Sequence, residues 1–301
     1  MGARDLLERE EALDAVRLCL ERAAAGGGVV GLISGEAGVG KTALLEASVP
    51  AAEEAGMRVL RARCSALERH FAFGVIRQLL EPVVAGLDRR GRDRAFAGAA
   101  SRAAVLFDEA PEAGPAAEPE HAVLNGLFRL VANLSACEPL LLAIDDVQWA
   151  DVPTVRALEF AARRIEPLPV ALLLAERSGP AGPDRPVELG ALATAPGTVR
   201  VDLDVLSRES ADRMVAAATE GDPDPAFLDA AWANVGGNPL LLDVTCREIV
   251  THGLRGAPDE ADRLAALIAP GLAPIVLGRL QAVGPEAGRA ALAAAVLGDR
   301  A

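Results

Sequence analysis

The sequence predicts an α/β fold, in which an open parallel sheet flanked by helices is followed by an all-helical region. Two observations lead to this prediction. Up to about residue 203, short apolar runs bounded by glycine or proline alternate with stretches whose apolar residues recur at helical spacing. From Ser207 onward the apolar residues follow the helical period alone. Strands that alternate with helices form a parallel sheet covered on both faces, so the change of pattern marks a second, helical part of the chain.

The first half of the predicted sheet region ends at a loop rich in proline, alanine and glutamate at 107–120. Apolar residues at helical spacing predict an N-terminal helix, preceded by a short strap, that ends at Gly26–Gly28. The run Val29–Ser34 is apolar, rich in β-branched residues and bounded by glycines, as buried parallel strands are. The further elements predicted before the loop are a helix at 41–54, a strand at 58–64 and two helices within 70–107.

The elements beyond this loop follow from the same two patterns. Those predicted for the sheet region are a helix at 121–136, a strand at 139–145, a helix at 154–165 and strands at 170–175 and 198–203. Those predicted for the helical region are helices at 207–219, 225–235, 239–252 and 261–269.

Composition indicates a folded protein and argues against several classes of function. The 301 residues are 51% hydrophobic and 24% charged, which excludes intrinsic disorder. Thirty basic against forty-three acidic residues give a net charge of −13, the wrong sign for a fragment that binds nucleic acid through its phosphates. The four cysteines and three histidines are scattered, without the spacing of a zinc site.

No segment has the pattern of a signal peptide or a membrane span. The N terminus is charged and amphipathic. The longest uncharged stretch, between Arg263 and Arg279, is shorter than the ~18 apolar residues of a spanning helix and contains two prolines. We therefore expect a soluble cytoplasmic protein without a membrane partner.

A phosphate-binding loop is the clearest motif. Residues 35–42, GEAGVGKT, match G-x-x-x-x-G-K-[ST] in full, directly after a predicted strand and at the start of a predicted helix. In such a loop the glycines let backbone N–H groups turn toward a phosphate, and the helix N terminus adds partial positive charge. Lys41 would then reach the β- and γ-phosphates of ATP, and the Thr42 hydroxyl would bind Mg²⁺. The predicted nucleotide-binding residues here are Gly35, Glu36, Ala37, Gly38, Val39, Gly40, Lys41, Thr42 and Ala43.

The use of lysine supports this interpretation over a glycine-rich turn with an accidental Lys-Thr pair. Lys41 is the only lysine among the thirty basic residues. Arginine is used everywhere else, and lysine occurs at the one position of the motif that needs a compact ammonium instead of a planar guanidinium. A second glycine pattern, Gly26, Gly28 and Gly31, spells the dinucleotide fingerprint G-x-G-x-x-G. These glycines precede the strand instead of following it, so we reject that motif.

Two acidic residues follow the predicted strand at 139–145. Asp145 and Asp146 end the run LLLAIDD, which places carboxylates at the carboxyl edge of a strand beside the phosphate loop. We predict that Asp145 holds Mg²⁺ through water and that Asp146 orients or deprotonates the attacking water. Alone, two adjacent acids are also compatible with a solvated turn, and the pairing with the phosphate loop favours the site.

Arg177, in the segment LLLAERS, follows the strand predicted at 170–175. If that strand lies between the two motif strands, its guanidinium would point toward the γ-phosphate, although an ordinary surface arginine is also possible. Arg163 and Arg164 end a predicted helix, where they are better placed to satisfy its last carbonyl groups than to act in catalysis. The predicted catalytic residues are Lys41, Asp146 and Arg177.

Four segments together resemble one family: GEAGVGKT at 35–42, LLLAIDDVQWAD at 140–151, LLLAERS at 172–178 and GGNPLLL at 236–242. They resemble the signal-transduction ATPases with numerous domains (STAND), which have an AAA-like P-loop NTPase fold. Within that class the chain is most similar to the large ATP-binding regulators of the LuxR family in actinomycetes. The resemblance extends from Leu7 to about Leu297 and implies an ATP/ADP-binding switch, hydrolysing slowly, in a transcriptional activator.

The resemblance also implies roles for particular residues and regions. The proline of G-N-P-L lies on a helical lid and packs on the adenine, which assigns that contact to Pro239. A Gly-Arg-Glu segment near the N terminus touches the base in the family, which assigns Arg9, although Glu8 stands in the glycine position here. The implied regions are an N-terminal strap and helix at 1–24, a P-loop core at 25–205, a helical lid at 206–272 and the beginning of a winged-helix domain at 273–301.

The resemblance implies self-association controlled by nucleotide and DNA binding through a C-terminal domain beyond this chain. Three alternatives stay open at this stage. One is an AAA-type motor, which would need a ring and an arginine from a neighbouring subunit. Another is a small-molecule kinase, which would need an acceptor pocket. The last is the same module joined to a cyclase or kinase output domain.

Overall fold

A computed structural model of the chain describes residues 6–107, 120–178, 189–267, 286 and 288–291. The chain divides into two compact units, Met1–Leu203 and Asp204–Ala301. The predicted loop at 107–120 falls outside the described residues except at its two ends. The predicted winged-helix segment at 273–301 falls outside them except at 286 and 288–291.

In its described part, the first unit contains one sheet of five strands. They are β1 (Val29–Gly35), β2 (Arg58–Arg63), β3 (Leu140–Asp145), β4 (Val170–Arg177) and β5 (Thr198–Leu203). The order across the sheet is β2-β3-β4-β1-β5, and every neighbouring pair is parallel. The predicted α/β fold with a parallel sheet is confirmed.

Helices cover both faces of this sheet. They are α1 (Glu10–Ala24), α2 (Lys41–Glu54), α3 (Gly74–Ala85), α4 (Arg89–Ala95), α5 (Glu120–Ser135), α6 (Val152–Ala162) and α7 (Leu189–Ala193), with 3-10 turns at Gly98–Leu106 and Val147–Trp149. Because side chains alternate along a strand, β1 supplies Val30 and Leu32 to one hydrophobic cluster and Val29 and Ile33 to the other. The central strands β1 and β3 are buried at every position, whereas β2 lies at the edge.

The structure differs from the predicted helix boundaries at two places, and in both an aspartate that caps a helix explains the difference. The region 70–107 holds three helical segments instead of two, because the Asp88 carboxylate accepts a hydrogen bond from Gly91 N at 2.7 Å and starts a new helix. Helix α6 begins at Val152, two residues before the predicted start, because Asp151 caps it and Pro153 occupies its first turn.

The described part of the second unit is helical. Its helices are α8 (Arg208–Thr219), α9 (Pro225–Val235) and α10 (Pro239–His252), with a 3-10 turn at Pro258–Glu260 and a helical segment over 261–267. Ser207, Asp224 and Asn238 cap the three longer helices through their side chains. Within the part of the chain that the structure describes, no helix combines the length and apolar character that crossing a bilayer requires.

Candidate nucleotide-binding site

The register of the sheet gathers the predicted site residues of the first unit at one edge. Gly35, the last residue of β1, pairs with Arg177 at the end of β4. Arg63, the last residue of β2, pairs with Asp145 at the end of β3. Because all five strands are parallel, these carboxyl ends meet at the same edge, where open α/β sheets bind their ligands.

The phosphate loop links the end of β1 to the start of α2. Gly38 and Gly40 have φ values of 90° and 106°, which strain any residue with a side chain. Gly40 is the N-cap of α2 and offers no side-chain cap, so the first N–H groups of this helix are free to face a bound anion. The loop therefore has the backbone that a phosphate cradle requires.

The Lys41 ammonium lies across this loop. Its side chain is buried, and Nζ donates hydrogen bonds to Gly35 O at 2.8 Å and Glu36 O at 2.7 Å. Burial lowers the pKa of Lys41, while the carboxylates of Asp146 and Asp145 act in the opposite direction. A buried ammonium whose direct partners are neutral carbonyl groups is suited to bind an anionic phosphate.

Thr42 and Asp145 form the oxygen pair that the sequence predicts for Mg²⁺. Thr42 Oγ1 donates a hydrogen bond to Asp145 Oδ2 at 2.8 Å, and Asp145 Oδ1 accepts one from Asp146 N at 3.0 Å. Asp145 is buried, and burial raises its pKa. A hydroxyl and a carboxylate in contact beside a phosphate loop are the hard oxygen ligands that Mg²⁺ prefers, so these residues fit the ion.

Asp146 projects from a sharp turn after β3. Its φ of 55° is left-handed, a conformation that aspartate tolerates better than most residues. Its Oδ1 accepts a hydrogen bond from Gln148 Nε2 at 2.8 Å and lies 3.7 Å from Arg177 Nε. Its Oδ2 lies 3.7 Å from an Nη of Arg63. The second carboxylate therefore sits between the ends of β2 and β4, next to Asp145.

Strand β4 lies between β1 and β3, which is the condition under which Arg177 was expected to face the γ-phosphate. Its guanidinium approaches Asp146, and the side chain of Arg177 is 39% exposed. Arg177 N also donates a hydrogen bond to Gln148 Oε1 at 3.1 Å. The strand order thus brings Lys41, Asp146 and Arg177 to one place.

Arg9 contacts the phosphate loop from the N-terminal side. Its guanidinium donates hydrogen bonds to Val39 O at 3.1 Å and to Glu8 O at 2.8 Å, and the side chain is buried. Glu8 adopts a φ of 57°, the left-handed conformation that glycine adopts without strain. This geometry places Arg9 against the phosphate loop, next to a residue in the backbone conformation that glycine favours.

Pro239 belongs to the second unit. It is the first residue of α10, where its missing N–H costs no hydrogen bond. Asn238 caps the helix by accepting hydrogen bonds from Leu240 N at 3.2 Å and Leu241 N at 3.4 Å. Within its unit, the pair Asn238-Pro239 is a helix start.

Sequence reasoning assigned no role to two residues at this edge, Arg63 and Gln148. Arg63 reaches both carboxylates, at 3.8 Å from Asp145 and 3.7 Å from Asp146. It ends an alternating strand, and nothing local distinguishes it from the other arginines there. Gln148 is visible in the sequence as a polar residue that follows Asp146 by two positions, which is within reach of its carboxylate.

The last aspartate of the segment DDVQWAD has a structural role. Asp151 is 3% exposed, and its Oδ1 accepts hydrogen bonds from Phe73 N at 2.8 Å and Thr154 N at 2.9 Å. Its Oδ2 accepts one from Thr154 Oγ1 at 2.6 Å. One buried carboxylate thus holds the starts of both α3 and α6.

Replacing Asp151 with alanine should destabilise the first unit by about 2–4 kcal/mol, because a helix cap is lost and buried donors are left unpaired. Asp88→Ala is the matched control and should cost about 1 kcal/mol, since Asp88 is an exposed cap whose side chain has a single described hydrogen bond. Denaturant unfolding followed by Trp149 fluorescence, with Trp232 replaced by phenylalanine, reports on the first unit. Equal losses for the two variants would contradict this role of Asp151.

Structural comparisons agree with this architecture. The Orc1 protein of Aeropyrum pernix, solved in complex with DNA, matches with a TM-score of 0.50 and 18% identity, over 89% of this chain and 66% of that one. Cdc6p from Pyrobaculum aerophilum matches with a TM-score of 0.53 and 13% identity, over 83% of this chain and 63% of that one. At these identities the likeness establishes the fold alone. This chain spans less than two thirds of the length of either structure.

A STAND protein with a tetratricopeptide repeat sensor from Pyrococcus horikoshii matches with a TM-score of 0.46 and 18% identity, over 75% of this chain and 28% of that one. No curated protein shows significant sequence similarity to the chain. The model of the AAA ATPase domain family matches residues 5–174, more than half of the sequence. The chain therefore belongs to the AAA ATPase domain family and is an ATPase.

Proposed function

We propose that this chain is the ATP-binding and slowly hydrolysing switch module of a multidomain transcriptional activator of the STAND class, related to the large LuxR-family regulators and acting in the cytoplasm. One observation carries the nucleotide half of the proposal. The buried Lys41 ammonium, the Thr42–Asp145 pair and Asp146 lie together at the phosphate loop, with Arg177 on the strand between them. The regulatory half rests on the resemblance of GNPL and DDVQWAD to that family.

The proposed binding mode follows from the donors and acceptors at the site. The N–H groups of the loop and Lys41 hold the β- and γ-phosphates of ATP, as their positive character requires. Thr42 and Asp145 would hold Mg²⁺, which when bound neutralises phosphate charge. Arg9, through Val39 O, steadies the loop next to the base.

The proposed reaction is attack of a water oxygen on the γ-phosphorus, with cleavage of the bond to the oxygen that bridges the β- and γ-phosphates. Asp146 accepts a proton from the water, and ADP and inorganic phosphate are the products. Lys41 and Arg177 stabilise the negative charge on the transferred group. Both oxygens of Asp145 already accept hydrogen bonds, one from Thr42 Oγ1 and one from Asp146 N. Asp146 is therefore the carboxylate that acts on the water.

The proposed switch uses the second unit as a lid. We infer from the resemblance that Pro239 contacts the adenine, while the γ-phosphate is held only by the first unit. A ligand shifts a conformational equilibrium only through contacts that differ between the two states. ADP keeps the base but lacks the γ-phosphate contacts, so ADP and ATP should favour different lid arrangements, and ATP should expose a surface for self-association.

Hydrogen exchange tests the switch directly. The backbone amides of α8, α9 and α10, residues 208–252, should be protected to different extents with ADP and with a non-hydrolysable ATP analogue. Pro239→Ala should reduce that difference while both nucleotides still bind. Arg247→Ala, at a 65%-exposed side chain of the same helix, is the control and should leave the difference unchanged. Identical protection with both nucleotides would leave an ATPase that is not a switch of this kind.

A further inference from the structure

Gln148 occupies a buried position between the ends of two strands. It lies in the 3-10 turn Val147–Trp149 after β3 and is 5% exposed. Its Nε2 donates a hydrogen bond to Asp146 Oδ1 at 2.8 Å, and its Oε1 accepts one from Arg177 N at 3.1 Å. One side chain therefore connects the carboxylate that follows β3 to the backbone at the end of β4.

The chemistry of its partners fixes the orientation of this amide. A carboxylate oxygen can only accept a hydrogen bond, and a backbone N–H can only donate one. Turning the amide over would set oxygen against Asp146 Oδ1 and an N–H group against Arg177 N. Both interactions would be lost in a buried place, where unpaired polar groups are costly. The amide thus has a single satisfied orientation.

The hydrogen bond from Gln148 also gives the two carboxylate oxygens of Asp146 different environments. Oδ1 is engaged by Gln148 at 2.8 Å, with Arg177 Nε at 3.7 Å on the same oxygen. The described contact of Oδ2 is Arg63 Nη at 3.7 Å, longer than a hydrogen bond. Oδ2 is consequently the oxygen that can accept a proton from a water at the phosphate site.

We propose that Gln148 is a positioning residue for ATP hydrolysis. It holds Oδ1 of Asp146 so that Oδ2 faces the attacking water, and it fixes the base relative to the strand that carries Arg177. This inference rests on the proposed role of Asp146 as the proton acceptor. Asp146 has left-handed backbone, and the hydrogen bond from Gln148 Nε2 is the kind of second contact that holds a catalytic side chain in one rotamer.

Gln148→Glu tests this positioning role most directly, because it keeps the shape of the side chain and replaces only the NH₂ group with an oxygen. One carboxylate oxygen of the new residue still accepts from Arg177 N, but the other meets Asp146 Oδ1 as a second negative charge. The titratable and charged groups around Asp146 are Lys41, Arg63, Cys64, Asp145 and Arg177. The carboxylate at position 148 therefore repels Asp146 Oδ1 instead of donating a hydrogen bond to it, and the side chain of Asp146 loses its fixed orientation.

We expect kcat of Gln148→Glu to fall at least about tenfold at neutral pH. The KM for ATP should stay within about twofold, because the defect lies in the orientation of the base and not in nucleotide binding. Gln148→Met, of similar length but without polar atoms, should lower kcat without that added charge. Both variants are compared with the wild-type chain in steady-state phosphate release, after circular dichroism and ATP binding confirm that they fold.

Gln78→Glu is the matched control. Gln78 Oε1 accepts a hydrogen bond from Arg63 N at 3.0 Å. Like Gln148, this residue therefore has a side-chain amide bonded to a backbone N–H at the carboxyl edge of the sheet, but Gln78 is exposed. It adds the same charge, and its kcat and KM should match those of the wild type. A fall in the kcat of Gln78→Glu equal to that of Gln148→Glu would overturn the inference.

Asp146→Asn separates this inference from the proposed function. If Asp146→Asn hydrolyses ATP normally, the assignment of the base is wrong, and the inference falls with it. If Asp146→Asn is inactive while Gln148→Glu and Gln148→Met keep the wild-type kcat, the inference alone is wrong. If Gln148→Glu does not fold, Gln148→Met is the test: a lowered kcat supports the inference, and a wild-type kcat contradicts it.

Discussion

Lys41→Ala should weaken ATP binding by about 3 kcal/mol, roughly a 100-fold or greater rise in Kd, because the variant loses charge-assisted hydrogen bonds to the phosphates at a buried site. Lys41 is 6% exposed, and Gly35 O and Glu36 O already hold its ammonium over the loop, so the ammonium is positioned before the nucleotide binds. Isothermal titration with ATP and Mg²⁺ measures the loss directly. Unchanged affinity would show that the phosphates bind elsewhere.

Two controls isolate the role of the ammonium. Arg17→Ala removes a cation from a surface ion pair with Asp14 in the same unit and should leave the affinity unchanged. The pH dependence gives a second check with a defined sign. Burial lowers the pKa of Lys41, so its charged form is lost earlier than that of an ordinary lysine as the pH rises. The ATP affinity of the wild type should therefore begin to decline below the usual pH range of lysine titration, and Lys41→Ala should lack this decline.

Local chemistry explains which parts of the fold the sequence predicts well. The central strands are predicted because burial on both faces requires near-continuous apolar runs, as in Val29–Ser34. The strand-to-helix position of the phosphate loop is predicted because Gly38 and Gly40 must adopt left-handed backbone. These signals lie within a few residues of the feature that they specify.

Features that depend on contacts across the sheet are less accessible to sequence reasoning. Arg63 meets Asp145 and Asp146 only because β2 and β3 are neighbours in register, and its own segment is an ordinary alternating strand. The position of Arg177 could be stated only as a condition on strand order, which the structure resolves. Asp151 was part of a recognisable segment, but its bond to Phe73 N joins residues 78 positions apart.

Asp146→Asn should bind ATP with nearly unchanged affinity and lose about 10²–10⁴-fold in kcat, the range that general-base catalysis contributes. The hydrogen bond from Gln148 makes this substitution especially informative. Gln148 Nε2 needs an acceptor, so the oxygen of the new amide should take the place of Oδ1, 2.8 Å away. The NH₂ group then takes the place of Oδ2 and presents donors to the water, where the wild type presents an acceptor.

Asp202→Asn is the control for loss of a carboxylate near the carboxyl edge of the sheet. Asp202 lies on β5 with a 66%-exposed side chain, and this variant should turn over ATP as the wild type does. Single-turnover and steady-state phosphate release, each normalised to bound nucleotide, distinguish a chemical defect from a binding defect. If Asp146→Asn kept wild-type turnover, another group would have to take the proton, and Asp145 is poorly placed for that because both of its oxygens already accept hydrogen bonds. A defect in both assays with normal affinity is the result that assigns proton transfer to Asp146.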